Sequence, residues 1–479
     1  MTDDRWRSPL GSRYASPAMQ TLWGEPRRIA LWRRLWLALA EAERELGLDI
    51  PEQAIAQMRA HLDDADLAAA ARYERRFRHD VMAHIHAFAD QAPAARPYLH
   101  LGATSSFVTD NADLVVMREG LRVLLGRLVA VIGALERFAR RYADLPCLAY
   151  THFQPAQLTT VGKRASLWMQ DFALDVEEVS HRIRTMRLRG CKGTTGTQAS
   201  FLQLFGGDHE RVRELDRRVA AKLGFEETFP VTGQTYTRKA DSTVLDALSG
   251  IAQSASKLAG DLRLLQHEGE LLEPFESEQV GSSAMAYKRN PMRAERISGL
   301  ARYVIALPAN TAQTAANQWL ERTLDDSANR RLTLPEGFLT TDAILVLATN
   351  IAAGLEVRED VIRRHVTDQM PFMATERWLL LGVSAGGDRQ SLHEVIRRHS
   401  QAVAESVSRG EPNDLLARLA ADPAFRGVPV AMLQAELEPT SYTGRAAQQV
   451  SEFIEEYLQP LLTRARPLAA EAEAAEVVV

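Results

Sequence analysis

The chain has 479 residues, 46% hydrophobic and 25% charged, with a formal net charge of −5. Those values describe a folded globular polypeptide long enough for two or three domains. The acidic balance excludes general nucleic-acid affinity, so any basic cluster must be local and aimed at a small anion. No run approaches the roughly 20 apolar residues needed to span a bilayer, and MTDDRWRSPLGSRY contains no apolar leader core. Two cysteines, Cys147 and Cys191, allow at most one disulfide and no CxxC metal pair, which fits a reducing cytoplasm. Neither a metal nor a cofactor, a nucleic acid nor a membrane is expected.

After the loop SPLGSRYASP, a helix is predicted from about Pro26, where Leu31, Trp32, Leu35, Trp36, Leu39 and Leu46 recur at helical spacing and Gly47 ends the run. From Arg75 to Ala89 a second pattern places Phe77, Val81, Ile85 and Phe88 on one face, with Arg78, His79 and Asp80 at its other side and start. His84 and His86, two apart, cannot share a helical face, so the histidines here read as core or surface residues rather than metal ligands. His100 to Ser106 (HLGATSS) is a hydroxyl-rich turn, and Thr109-Asp110-Asn111 is the predicted cap of a long helix carrying Leu114, Leu121, Leu128, Leu135 and Phe138. Helices of that length with little Gly or Pro predict a bundle.

In LAYTHFQPAQLTTVGKR (148–164), Pro155 breaks the periodicity. His152 is therefore expected in a loop or at a helix start, with Thr151, Thr159, Thr160 and Lys163 making a polar surrounding. A second long helix follows through Leu167, Phe172, Val179 and Ile183. GCKGTTGTQASF (190–201) lacks the GxxxxGK[ST] spacing and follows no predicted strand, which rejects a nucleoside-triphosphate loop, although its backbone N–H groups could receive a carboxylate. A short loop at 230–236 holds Gln234, and a third long helix is predicted from Asp241 to Gln266. No alternation at period 2 supports a sheet of any size.

An acidic run with a proline (Glu270, Glu273, Pro274, Glu276, Glu278) then leads into GSSAMAYKRNPMRAER, 281–296. Two hydroxyls (Ser282, Ser283) and the cations Lys288, Arg289, Arg293 and Arg296 share a loop that opens a helix. Asn290 is the predicted N-cap and Pro291 the first-turn residue. Such a loop is built to hold negative charge. Helices from Ile297 to Leu320 and from Phe338 to Leu355 flank the charged ERTLDDSANRRL (321–332). From about Glu356 the segments shorten, broken at 386–388 and 411–413, and a polar tail follows Pro467. The organisation read from this is an N-terminal helical domain (1–104), a long-helix bundle (105–357) and a small helical domain (358–479).

The 281–296 segment resembles the signature loop of the fumarase/aspartase superfamily, S-S-x-M-P-x-K-x-N-P, with Ala286 where that pattern has proline. The triplet Arg78-His79-Asp80, the HLGATS and THFQPAQLTTVGKR elements, Gln234 and ERTLDDSANRR resemble further elements of the same superfamily, so the likeness spans nearly the whole chain. The last of these, with KRNPMR, points to the branch acting on succinylated purine nucleotides; argininosuccinate lyase, fumarase and aspartase share the core loop, and a catalytically silent structural homologue is the alternative from another class. The resemblance implies an all-α, three-domain fold with a central long-helix bundle, assembled as a homotetramer whose sites draw on three subunits. It implies a C–N lyase of purine biosynthesis that releases fumarate from adenylosuccinate, giving AMP, and from the succinyl-carboxamide ribotide (SAICAR), giving AICAR. His152 would be the general acid and Ser282 the general base. Arg13, Tyr14, Arg78, His79, Asp80, Thr104, Ser105, Gln234, Lys288, Asn290, Arg296, Arg322, Ser327 and Arg331 would bind substrate, the last three its nucleotide part. On chemistry alone Ser283 is as good a hydroxyl as Ser282; only the family pattern favours the latter.

Overall fold

The computed structural model describes residues 6–470. The predicted polar tail falls largely on 471–479, outside the described residues. A turn at Leu10–Tyr14 precedes α1 (Pro17–Leu22), α2 (Glu25–Glu45), α3 (Glu52–Ala60), α4 (Leu67–Phe77) and α5 (Asp80–Gln91). α2 buries Ile29, Leu31, Trp32, Leu35, Trp36 and Leu39, and Gly47 closes its end at φ 98°. The pattern read as one helix over Arg75–Ala89 is two: Arg78 turns left-handed (φ 55°) and His79 caps α5, its Nδ1 accepting the Met82 N–H at 3.4 Å.

Next comes α6 (Ser105–Arg141), 37 residues long. It starts at Ser105 with Thr104 as N-cap, five residues before the predicted cap begins, because Asp110 and Asn111 are buried inside the helix and engaged elsewhere. A hairpin of β1 (Pro146–Thr151) and β2 (Gln154–Thr160) follows, antiparallel with a bulge at Ala149/Tyr150. Period 2 was not legible here because four of the first residues of β2 are exposed and Pro155 interrupts it. Thr160 then caps α7 (Val161–Thr185), accepting the Lys163 N–H at 3.1 Å. α8 (Ala199–Leu204), α9 (His209–Lys222) and α10 (Lys239–His267) lead to a two-residue strand β3 (Leu271–Leu272).

The loop carrying 281–290 opens α11 (Met292–Ala316), and α12 (Asp325–Gly354) runs straight into β4 (Glu356–Val357), which pairs with β3. Asn290 does not cap α11. Glu273 does, its two carboxylate oxygens accepting the Arg293 and Ala294 N–H groups at 3.0 Å each. α13 (Glu359–Met373), α14 (Thr375–Ser384), α15 (Arg389–Ser408) and shorter helices complete the described chain.

The long helices α6, α7, α10, α11 and α12 pack on one another as an all-α bundle, with α2 against α6. Its core runs continuously from Leu35 and Phe88 through Leu121, Phe172, Leu248 and Phe338. A separate core around Trp378, Leu392, Leu419 and Phe425 holds α14, α15 and the helices after them. By length and composition α12 could cross a membrane, contrary to the sequence reading, but 72% of its most apolar stretch is buried in the fold. It is a core helix with Pro335 inside it.

One group in this core carries a charge problem. Glu43 on α2 is fully buried, and neither carboxyl oxygen has a hydrogen-bond partner among the described residues. Burial pushes its carboxyl up to about 9. The folded state therefore holds a proton that the unfolded carboxyl, near ~4.3, releases, and the associated stability is present at acid pH and lost as pH rises toward 9. Glu43→Gln has no proton to lose, so its stability relative to the parent should grow steadily between pH 5 and pH 9 in denaturant titrations. A difference independent of pH would contradict an unpaired acid at this position.

Candidate active site

Three helix N-termini converge on one cavity of about 870 Å³. α5 contributes His79 and Asp80, α6 contributes Ser105 and Ser106 behind Thr104, and α12 contributes Asp326 and Ser327. Helix starts present unsatisfied N–H groups and positive dipole ends, which makes their convergence a place for an anion. Arg28, Arg78, Arg322 and Arg331 add guanidinium groups, and Gln234 closes one side. The volume is in the range of roughly 300–1,000 Å³ that accommodates a nucleotide-sized ligand.

The cavity brings together Arg78, His79, Asp80, Thr104, Ser105, Gln234, Arg322, Ser327 and Arg331 from four stretches of sequence. His79 Nε2 lies 3.4 Å from Ser105 Oγ, and Arg331 reaches Asp80 at 3.3 Å. The Gln234 backbone is fixed on both sides: its N–H donates to the Glu321 carbonyl at 2.9 Å and its carbonyl accepts from buried Arg189 at 2.7 Å. Gly233 permits this, because a Cβ there would stand 2.5 Å from the Glu321 carbonyl oxygen.

Beneath the cavity lies a charge network that sequence reasoning passed over. Arg238 is buried between Asp326 of α12, at 2.7 Å, and Asp110 of α6, at 3.1 and 3.2 Å. Arg330 contacts Asp241 at 2.7 Å, Asp113 at 2.9 Å and the Tyr236 hydroxyl at 2.6 Å. Burial would raise the Asp110 carboxyl, but Arg238 and Arg330 beside it hold it below the ordinary range. In the Arg330-Arg331 pair the first residue thus serves the floor and the second, exposed, faces the ligand space. The available signal was a pair of carboxylates, Asp110 and Asp113, inside an apolar helical pattern.

Among the described residues the cavity lining takes in neither His152 nor Ser282. His152 and Phe153 form the two-residue turn of the β1–β2 hairpin, with φ of 54° and 58°. Such turns normally use Asn or Gly, since both central residues are left-handed. Two bulky residues held there store backbone strain, and strain of this kind concentrates at functional positions. His152 projects from the tip, exposed on its own chain.

The third group is the 281–290 loop. Ser282 Oγ accepts the N–H groups of Met285 at 3.1 Å and Ala284 at 3.3 Å, whereas Ser283 is exposed. The loop is pinched at its neck, where the Asn290 amide donates to the Gly281 carbonyl at 2.9 Å and a Cβ on Gly281 would collide with the Lys288 carbonyl. Lys288 and Asn290 border one depression with Glu295. Two of the cations first read as anion ligands are engaged in the fold instead: Arg293 is fully buried against Glu276 at 2.7 Å and the Pro274 carbonyl, and Arg289 pairs with Glu356 at 3.2 Å. Arg296 lies over the Tyr14 ring at 5.3 Å, which joins those two predicted residues, and Arg13 is exposed in the same turn.

This bundle, with a hydroxyl-bearing loop between α10 and α11, has the architecture of the fumarate-releasing lyases. Its fold matches the 3-carboxy-cis,cis-muconate lactonizing enzyme of Pseudomonas putida with a TM-score of 0.80 over 96% of this chain and 99% of that one, at 22% identity. The family described as "Lyase" matches residues 21–306, and "Adenylosuccinate lyase C-terminus" matches 371–453. The chain is 50% identical over 456 residues to the adenylosuccinate lyase of Saccharomyces cerevisiae, covering 94% of each, and 46% identical over 453 residues to that of Schizosaccharomyces pombe, again 94% of each. The chain belongs to the adenylosuccinate lyase family of the fumarase/aspartase superfamily.

The cavity floor gives a direct test of what holds the site. Asp326→Asn keeps the shape but removes the charge between Arg238 and Arg322, which lies 3.4 Å away. Leaving Arg238 with Asp110 alone should cost about 3 kcal/mol in denaturant unfolding. An unchanged midpoint would mean that Asp110 alone suffices.

Proposed function

We propose that the chain catalyses non-hydrolytic β-elimination of fumarate from adenylosuccinate, giving AMP, and from SAICAR, giving AICAR. The observation that carries this is the polar cavity with three helix N-termini and six guanidinium groups, in a chain half identical to a named adenylosuccinate lyase. That likeness also favours the purine substrate over argininosuccinate and an enzyme over a silent scaffold.

Elimination removes a weakly acidic proton from the carbon beside a carboxylate, and negative charge accumulates on that carboxylate. Prepositioned donors meeting such charge are commonly the largest catalytic contribution. Lys288 and Asn290 are assigned to it. Ser282 takes the proton. A hydroxyl is a weak base, but the two N–H groups already directed at Oγ favour its anion, and Lys288 on the same loop adds positive charge. This supports Ser282 over Ser283. His152 delivers the proton to the departing nitrogen, the task for which an imidazole is best matched near neutral pH. Arg322, Ser327 and Arg331 hold the nucleotide, while Thr104 and Ser105 with the start of α6 receive a carboxylate or phosphate.

The acid, the base and the nucleotide cavity lie on separate parts of one chain, so the reading requires a homotetramer whose sites are completed by neighbouring copies. Its support is the apolar surface left on the bundle and nearby loops: Leu167, Leu174, Leu264, Tyr303, Ile305, Trp319 and Leu320 are all exposed in a single chain. A cytoplasmic setting agrees with two buried free thiols, Cys147 and Cys191.

His152→Ala and Ser282→Ala should each lower kcat by about two orders of magnitude or more. The assay is fumarate release from adenylosuccinate, with argininosuccinate as control; near-parental turnover in either variant removes that residue from its role. Arg322→Ala and Arg331→Ala should raise KM more than they lower kcat. Mixing subunits of the His152→Ala and Ser282→Ala variants should restore part of the activity, because some sites then receive both intact groups. If mixing restores nothing under conditions of subunit exchange, sites are not shared in this way.

A further inference from the structure

We propose that Glu270 is a positioning residue that ties the His152 hairpin and the neck of the Ser282 loop to a single buried post. This rests on the assignment of His152 and Ser282 given above. If those groups serve sites in different places, one post in each subunit holds the acid of one site and the base of another.

The hairpin side is held as follows. Glu270 is fully buried between the end of α10 and β3. Its Oε1 stands 2.9 Å from His365 Nδ1 on α13 and 3.5 Å from the hydroxyl of Tyr150 on β1. Its Oε2 stands 3.8 Å from Arg164 Nη1 on α7. Tyr150 lies two residues before His152, on the strand that feeds the strained turn. Burial first, and then the Glu270 charge, raises the Tyr150 hydroxyl, so it keeps its proton and donates. Arg164 also donates to the Leu148 carbonyl, a second hold on the same strand. Beyond Tyr150 the hairpin projects as an exposed tip, so its orientation is set at this base.

The loop side is attached through the same few residues. The Glu270 carbonyl accepts the Arg358 N–H at 2.9 Å, and β3, directly after it, pairs with β4. Glu356 of β4 holds the Arg289 guanidinium at 3.2 Å. On the α10 side, the Gln266 amide donates to the Arg289 carbonyl at 3.1 Å. Arg289 stands next to Asn290, which closes the loop neck on Gly281. A shift at Glu270 therefore moves both elements. An apolar side chain would fill this space without desolvating a carboxylate, whereas an acid hydrogen-bonded to His365 and Tyr150 and ion-paired with Arg164 holds three separate elements in fixed directions.

The test is E270Q in the full-length assembled enzyme. The amide keeps the size but cannot accept from His365 and Tyr150 while pairing with Arg164. Amide hydrogen exchange should rise about tenfold both over 146–160 and over 281–290, with α6 and α12 unchanged. In parallel kcat should fall about tenfold while KM for adenylosuccinate stays within about twofold. Y150F should give part of the effect, and the E270Q/Y150F double variant no more than E270Q alone. Faster exchange in the hairpin but not the loop overturns the proposed link, and so do unchanged kinetics. Equal acceleration across the bundle helices overturns it as well, because Glu270 would then be a general structural residue. Should E270Q fail to fold, H365Q carries the same test from a partly exposed position. Failure of the functional reading is separately visible: H152A and S282A would retain activity while the exchange pattern of E270Q stood.

Discussion

The cavity depends on Arg238, a guanidinium buried between carboxylates of two bundle helices. Taking such charges from water costs several kcal/mol per ion, and only good geometry and complete hydrogen bonding recover it. The geometry here is a two-sided clasp: Asp110 from the first turns of α6 and Asp326 from the first turn of α12 close on one side chain. The clasp cannot loosen without stranding a charge, so the two helix starts that line the cavity are fixed relative to each other. Arg330, joined to Asp113, Asp241 and Tyr236, repeats the device one layer away and adds α10 to the assembly.

A rigid anion pocket is thus combined with two projecting elements. On the proposed reading the nucleotide end is prepared before substrate arrives, which reduces the ordering cost at binding. The hairpin tip and the 281–290 loop are exposed on the single chain, and the groups assigned to proton transfer sit on them. That division suits an elimination in which substrate must enter before water is excluded. It also explains why the cations divide as they do: Arg238, Arg289 and Arg293 are paired with acids that position elements, while Lys288 is exposed and the exposed Arg331 reaches Asp80 within the cavity lining.

The bundle was legible because apolar spacing continues through α6, α7 and α10 without interruption, and periodicity is a strong signal when it persists over many turns. The hairpin was not, since its strands are short, half-exposed and broken by Pro155, and a His-Phe turn carries none of the Asn or Gly chemistry that marks such a connection. Helix starts were displaced by a few residues for tertiary reasons. Asn290 was free to close the loop on Gly281 because Glu273, seventeen residues upstream, supplies the cap. The cavity members were found through resemblance of separate elements, while the acids that support them, Asp110, Asp241 and Asp326, required the fold. A carboxylate inside an apolar helical pattern, as at Asp110, signals burial, but no local pattern says which distant arginine it meets.

Ala286 illustrates how local reading and fold weigh differently. In sequence, replacing the expected proline removes a fixed φ, and a compatible proline is worth ~0.4–1 kcal/mol through the unfolded chain. In the structure the loop is already pinched at Gly281 and Asn290, and Ser282 Oγ gathers two N–H groups within it. The freedom left to residue 286 is that of a few exposed positions between fixed ends, and the entropy of such a short closed segment is small beside the contacts at its neck. The substitution therefore changes how readily the tip moves and leaves the place of Ser282 to Gly281, Asn290 and the post behind them.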